Sequence, residues 1–185
     1  MTPADDDTAT PTSVVEPCRP RRVRLFAGVA VIALVLDVVS KVLVVANLKP
    51  ADQVRLLGGA IYLDVARNSG AAFSLGTGFT VILSVVALVV VAIIVRTASR
   101  MRSAGWAVAL GLILGGAIGN LVDRIFREPG VFRGHVVDWI SLFGPNAEHW
   151  PIFNLADSAI VCGAILAAGL SLFGVPLDGG ARVRA

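Results

Sequence analysis

The chain has 185 residues, of which 56% are hydrophobic and 16% charged, and its mean hydropathy is +0.79. A soluble domain is about half apolar and about a quarter charged, so this balance argues against a soluble domain, and against collagen-like, coiled-coil and disordered chains as well. The formal charge of +3 is small, informative only through its positions, and gives no sign of a nucleic-acid partner.

Residues 1–22 hold Asp5, Asp6, Asp7 and four prolines with little apolar content, which reads as a disordered tail. Leu25–Leu48 is apolar except for Asp37, Ser40, Lys41 and Asn47. It exceeds the roughly 7–15 residues of a signal-peptide core and is interrupted by charge, so it reads as a retained span. The 54–66 stretch, VRLLGGAIYLDVA, combines β-branched residues with a central Gly pair and predicts a small hairpin or sheet. Phe79–Val95 and Ala104–Val122 carry no charge. Ile152–Val175 is apolar except for Asn154, Asp157 and two serines. A spanning helix needs about 20 apolar residues, so four spans are expected, the second beginning near Ala71–Leu75. The expected domain plan is a 1–22 tail, a 23–175 four-helix body and a 176–185 tail.

Orientation follows from the basic residues at the span ends. Arg19, Arg21, Arg22, Arg24, Arg96, Arg100, Arg102, Arg182 and Arg184 fall on one side of a four-span topology. Lys49, Arg55, Arg67, Arg124, Arg127 and Arg133 are spread over two longer loops that also contain acids. Both termini are therefore expected in the cytoplasm, with 47–72 and 123–151 facing outward. Gly111, Gly115 and Gly119, and likewise Ala159, Gly163 and Ala167, recur every four residues; such rows let helices approach closely in lipid.

Ionisable groups within a span are costly, and each needs a reason. Asp37 and Lys41, four apart, share a helix face; they read either as a buried ion pair that holds the first span or as groups that position a reactive centre. Asn120 and Arg124 share a face near the end of the third span. Arg124 is explained by snorkelling, whereas Asn120 needs a partner at that depth. Asp138, in GHVVDWI, has an apolar setting. Asp157, in FNLADSA, stands three residues after Asn154, the spacing of an N-cap and its acidic partner. Two carboxylates in apolar surroundings at one membrane face also meet the requirement of aspartic-peptidase chemistry, in which one group activates water and the other protonates the carbonyl. Capping and catalysis both remain open at this point. Other chemistries lack their residues. There is no HExxH or GxSxG, and His135 and His149, the two histidines, lie in one loop. Cys18 and Cys162 belong to no CxxC or His-spaced cluster, so neither a disulfide framework nor a zinc site is expected. A transporter would need polar groups along a whole crossing path, yet the second span has no charge. A purely structural subunit would use every acid only to pair or cap.

Five blocks in order, LDVVSK at 36–41, RNSGAAFS at 67–74, GGAIGNLVDR at 115–124, GHVVDWI at 134–140 and FNLADSA at 153–159, resemble those of the lipoprotein signal peptidases (signal peptidase II), aspartic peptidases of the bacterial cell membrane. The resemblance covers roughly 25–174. It implies an all-α polytopic membrane protein of four transmembrane helices with a small extracytoplasmic β-containing segment. It also implies Asp138 and Asp157 as the catalytic pair, with Asp37, Lys41, Asn68, Gly70, Asn120, Arg124 and Asn154 supporting the site or contacting substrate; Asp123 matches the pattern but looks structural. The implied reaction is hydrolysis of the peptide bond before a diacylglyceryl-modified Cys in a prolipoprotein, at the outer face of the membrane. The 47–72 segment would cover that bond, with Asn68 offering amide hydrogen bonds to the peptide. No metal or organic cofactor is implied, and globomycin-type cyclic peptides are the implied inhibitors.

Overall fold

A computed structural model describes residues 20–49, 52–70 and 78–180, the side chains of 78 and 79 excepted. Most of the acidic N-terminal tail, the last five residues and the expected start of the second span at 71–75 lie outside the described residues. Four helices carry the chain: α1 (Val23–Asn47), α2 (Gly78–Ala98), α3 (Ala104–Phe126) and α4 (Leu155–Leu172). Each is long and apolar enough to cross a membrane. In lipid no water can satisfy the peptide groups, so an apolar run of this length closes its hydrogen bonds within a helix.

α3 is the central helix, packed against α1 on one side and α4 on another, while α2 packs mainly on α3. The glycine rows explain how closely they meet. A Cβ on Gly115 would lie 2.5 Å from the Ala30 carbonyl of α1, and one on Gly116 would collide with the Ala156 carbonyl of α4. In α4, Gly163 lies against the Ala109 carbonyl of α3. Lipid offers no hydrophobic drive for helix pairing, so contact of this kind, backbone against backbone, does much of the work.

At one end of the bundle Phe26, Ala30, Ile94, Ala98, Met101, Ala107 and Leu114 form an apolar core. The segment after α4 is fastened there: Arg102 and Ser103 donate their N–H groups to Leu177 O, and the Trp106 indole donates to Val175 O at 2.7 Å. At the other end stands a three-stranded antiparallel sheet, β1 (Gln53–Leu56), β2 (Ile61–Asn68) and β3 (Val136–Leu142), in that order. The expected hairpin is present, turning through Leu57, Gly58 and Gly59, all with positive φ. The third strand was not anticipated. VVDWI is a short apolar run, and periodicity alone does not distinguish a buried strand from other buried segments.

Candidate active site

The site lies where β3, the start of α4 and the sheet ends of α1 and α3 converge. β3 places Asp138 opposite Ala66 of β2, two residues before the pairing of Asn68 with Val136. Phe153 then bonds to the same strand: its carbonyl accepts from the Trp139 and Ile140 N–H groups, and its own N–H donates to Ile140 O at 3.0 Å. This bridge brings Asn154 and the first turn of α4 beside Asp138.

Asn154 caps α4. Its Oδ1 accepts from the Asp157 N–H at 2.9 Å, and the Asp157 carboxylate accepts the Asn154 N–H at 3.4 Å, a reciprocal capping box. Capping and site-building are thus one arrangement, because the Asn154 amide group is simultaneously donated to Asp138 Oδ1 at 2.6 Å and to Asn120 Oδ1 at 3.2 Å. Asn120, from α3, donates to Asp157 Oδ1 at 2.7 Å. Asn68 donates to Asp138 Oδ2 at 2.8 Å, while its own oxygen accepts from Gly70 N–H at 2.8 Å. Gly70 makes that turn at φ +95, a conformation that costs glycine little. Asp138 and Asp157 are therefore joined through Asn154 and Asn120, and both oxygens of Asp138 accept amide donors.

Beneath them lies a buried charge cluster. Lys41 is 1% exposed and Asp37 0%. The Lys41 ammonium meets Asp37 Oδ2 at 2.7 Å, Asp123 Oδ2 at 3.0 Å and Asn120 Oδ1 at 3.1 Å, which satisfies its three donors. The other Asp37 oxygen accepts the Ala156 N–H at 2.9 Å, an otherwise orphan donor in the first turn of α4. Asp123 also accepts from the Val137 N–H at 3.1 Å and pairs with Arg127 at 2.5 Å. The cluster thus fixes the backbone next to both candidate carboxylates. Arg124 donates to Asn120 O at 3.3 Å, and its charge lies within reach of Asp157, Asp138 and Asp123.

Burial pushes the Asp138 carboxyl up to about 6, the Asn68 and Asn154 amides hold it back, and the neighbouring Asp157 charge adds to the rise. Asp138 is buried and Asp157 only partly so, so the two carboxyls occupy unlike environments, the condition that separates acid from base.

Of the residues singled out from sequence, Asp37, Lys41, Asn68, Gly70, Asn120, Asp138, Asn154 and Asp157 fall in one hydrogen-bonded network, with Arg124 attached through Asn120. Asn68 and Asp123 make contacts that spacing alone does not give. Asn68 turns its amide to Asp138 and Gly70. Asp123, read as structural, bonds to both Lys41 and the β3 backbone. The Phe153 bridge was not foreseen, and its two apolar partners give no polar signal that would have revealed it.

The family model described as signal peptidase (SPase) II matches residues 29–173. A lipoprotein signal peptidase of Mycolicibacterium smegmatis is 50% identical over 177 residues, covering 95% of this chain and 73% of the relative. One of Rhodococcus jostii is 47% identical, covering 95% and 86%. A solved bacterial membrane enzyme aligns with a TM-score of 0.72 at 25% identity, over 85% of this chain and 98% of its own. The blocks that build the network thus lie inside the matched region, and the chain belongs to the signal peptidase II family.

Proposed function

We propose that this membrane peptidase removes signal peptides from prolipoproteins by cutting just before the diacylglyceryl-modified Cys, with Asp138 and Asp157 as its catalytic pair. The observation that carries the assignment is the joining of these carboxylates through Asn154 and Asn120, with one of them buried and pushed up to about 6.

In this reading the pair shares one proton. Asp157, the less buried, takes a proton from water as the water oxygen attacks the scissile carbonyl carbon. Asp138 gives its proton to the carbonyl oxygen, producing a neutral tetrahedral gem-diol. Collapse of that intermediate breaks the C–N bond: the proton on Asp157 passes to the leaving Cys nitrogen, and Asp138 recovers its own from the diol hydroxyl. Asn68, Asn154 and Asn120 hold the carboxylates, Gly70 fixes Asn68, and Asp37, Lys41 and Arg124 supply the surrounding charge. The arginine distribution supports both termini in the cytoplasm and the site near the outer face. A substrate that is itself a spanning helix with lipid chains would reach it through the bilayer. Globomycin-type cyclic peptides would compete for the same centre.

The test is cleavage of a diacylglyceryl prolipoprotein in detergent by Asp138→Asn and Asp157→Asn, with thermal stability measured alongside. Loss of proton exchange lowers turnover by about a hundred- to ten-thousandfold. The double variant should be little worse than either single one, because the two groups act as a unit. Substantial turnover in either well-folded variant refutes the pair. A reporter active only outside the cytoplasm should work when fused at Pro145 and fail at Ser99; the reverse pattern refutes the orientation.

A further inference from the structure

Just past the end of α3, on the side of the sheet end, is a cavity of about 540 Å³ lined by Arg67, Phe126, Arg127, Glu128 and His135. Two guanidiniums and an imidazole face a single carboxylate there. Arg127 is committed to Asp123, whereas Arg67 is exposed on β2 and has no ion-pair partner among the described residues. Phe126, the last residue of α3, is 80% exposed. The end of a spanning helix is the level at which hydrocarbon gives way to headgroups, and an aromatic side chain exposed there suits that boundary. Directly beside it, the cavity offers guanidinium donors whose planar geometry matches phosphate oxygens.

We propose that this cavity seats the phosphate of an anionic phospholipid, with Phe126 against the top of its acyl chains and Arg67 and His135 as donors to the headgroup. A lipid fits better than an acidic peptide because the apolar and cationic walls adjoin at the membrane boundary. The position also has consequences for the site. Arg67 immediately precedes Asn68, which holds Asp138, and His135 immediately precedes β3. A bound phosphate would therefore tie together the ends of the two strands that carry these residues.

The experiment uses the full chain in detergent, titrated with phosphatidylglycerol or phosphatidylcholine and read by native mass spectrometry, so it is independent of peptidase activity. Wild type should retain phosphatidylglycerol in preference to phosphatidylcholine. Arg67→Gln should reduce that preference by about fivefold, the contribution of one basic residue at a charged lipid surface. His135→Gln should reduce it as well. Arg133→Gln, an exposed arginine outside the cavity, should leave it unchanged. Equal retention of the two lipids by wild type overturns the proposal, as does an unchanged preference in both Arg67→Gln and His135→Gln. Displacement of the lipid by millimolar inorganic phosphate would identify a free-anion site instead, and displacement by a polyglutamate peptide a protein-docking site; either also overturns it.

Discussion

At one end of the bundle Phe26, Ile94, Ala98, Met101 and Ala107 pack apolar side chain on apolar side chain, whereas at the other Asp37, Lys41, Asn120, Asp123 and Asn154 are just as buried and polar throughout. The apolar end is non-directional: any group of similar volume would fill it about as well. The polar end is directional. Each donor of Lys41 and of the Asn154 amide has a designated acceptor, so loss of one member strands the others. A membrane protein gains little from gathering apolar groups that lipid already solvates. Unique positions at the sheet end therefore come from hydrogen bonds and charge pairs, and that is the end where the candidate chemistry lies.

The contrast is broken most severely at Lys41. Lys41→Met leaves Asp37 Oδ2 without its partner and Asp123 with only Arg127 and a backbone N–H, a loss of about 3–5 kcal/mol when one member of a buried charge cluster is removed. Folded yield, melting temperature and turnover should all fall. Adding Asp37→Asn, which keeps an oxygen for the Ala156 N–H, should restore part of the yield without the activity. A Lys41→Met protein as stable as wild type would show that the cluster does not hold the bundle.

Met101→Ala tests the apolar end. It opens a cavity at a fully buried side chain and should cost about 2 kcal/mol, the low end of the range for such truncations, because lipid also solvates apolar groups. Turnover per folded molecule should stay at the wild-type level, measured as kcat after correction for the folded fraction. A kcat loss as large as the stability loss would mean that the two ends are coupled.

The smallest effect sharpens the comparison within the polar end. The Asn68 amide favours the ionised form of Asp138, so Asn68→Ala should raise its pKa beyond about 6. Asp138 would then keep its proton to higher pH. In the proposed mechanism the alkaline limb of kcat/KM reports loss of the last shared proton from the free enzyme, and it should move upward by about one unit. A downward shift would show that Asn68 acts on the neutral acid instead.

The spans, the hairpin and most of the network were legible in the sequence for distinct reasons. A run such as Phe79–Val95 has one solution in lipid, and a Gly pair between β-branched residues marks a turn. Polar residues stand out wherever burial makes them expensive, which is how Asp37, Lys41 and Asn120 declared themselves. The contacts between them were not legible. Asp37 reaches Ala156 across 119 positions, and no local periodicity encodes that. β3 stayed hidden because Val136 and Val137 are both buried and Trp139 and Ile140 both half-buried, so no alternation marks the strand. Asp123 was readable as a motif residue, but its grip on the Val137 N–H depends on how the chain returns after α3.

The main-chain bridge between Ile140 and Phe153 closes the base of the 141–152 segment. A loop shut at its base absorbs a change of length at its tip, and each doubling of length costs only about 0.6 kcal/mol in closure entropy. Changes of length around Gly144–Glu148 should therefore leave the spacing of Asp138 and Asp157 intact, at the cost of the Asn146 N–H bond to Asp64 and the Ser141 hydroxyl bond to Gly144 O. The rim beside the candidate site is thereby uncoupled from its base: the 141–152 segment can change length while the two candidate carboxylates keep their register.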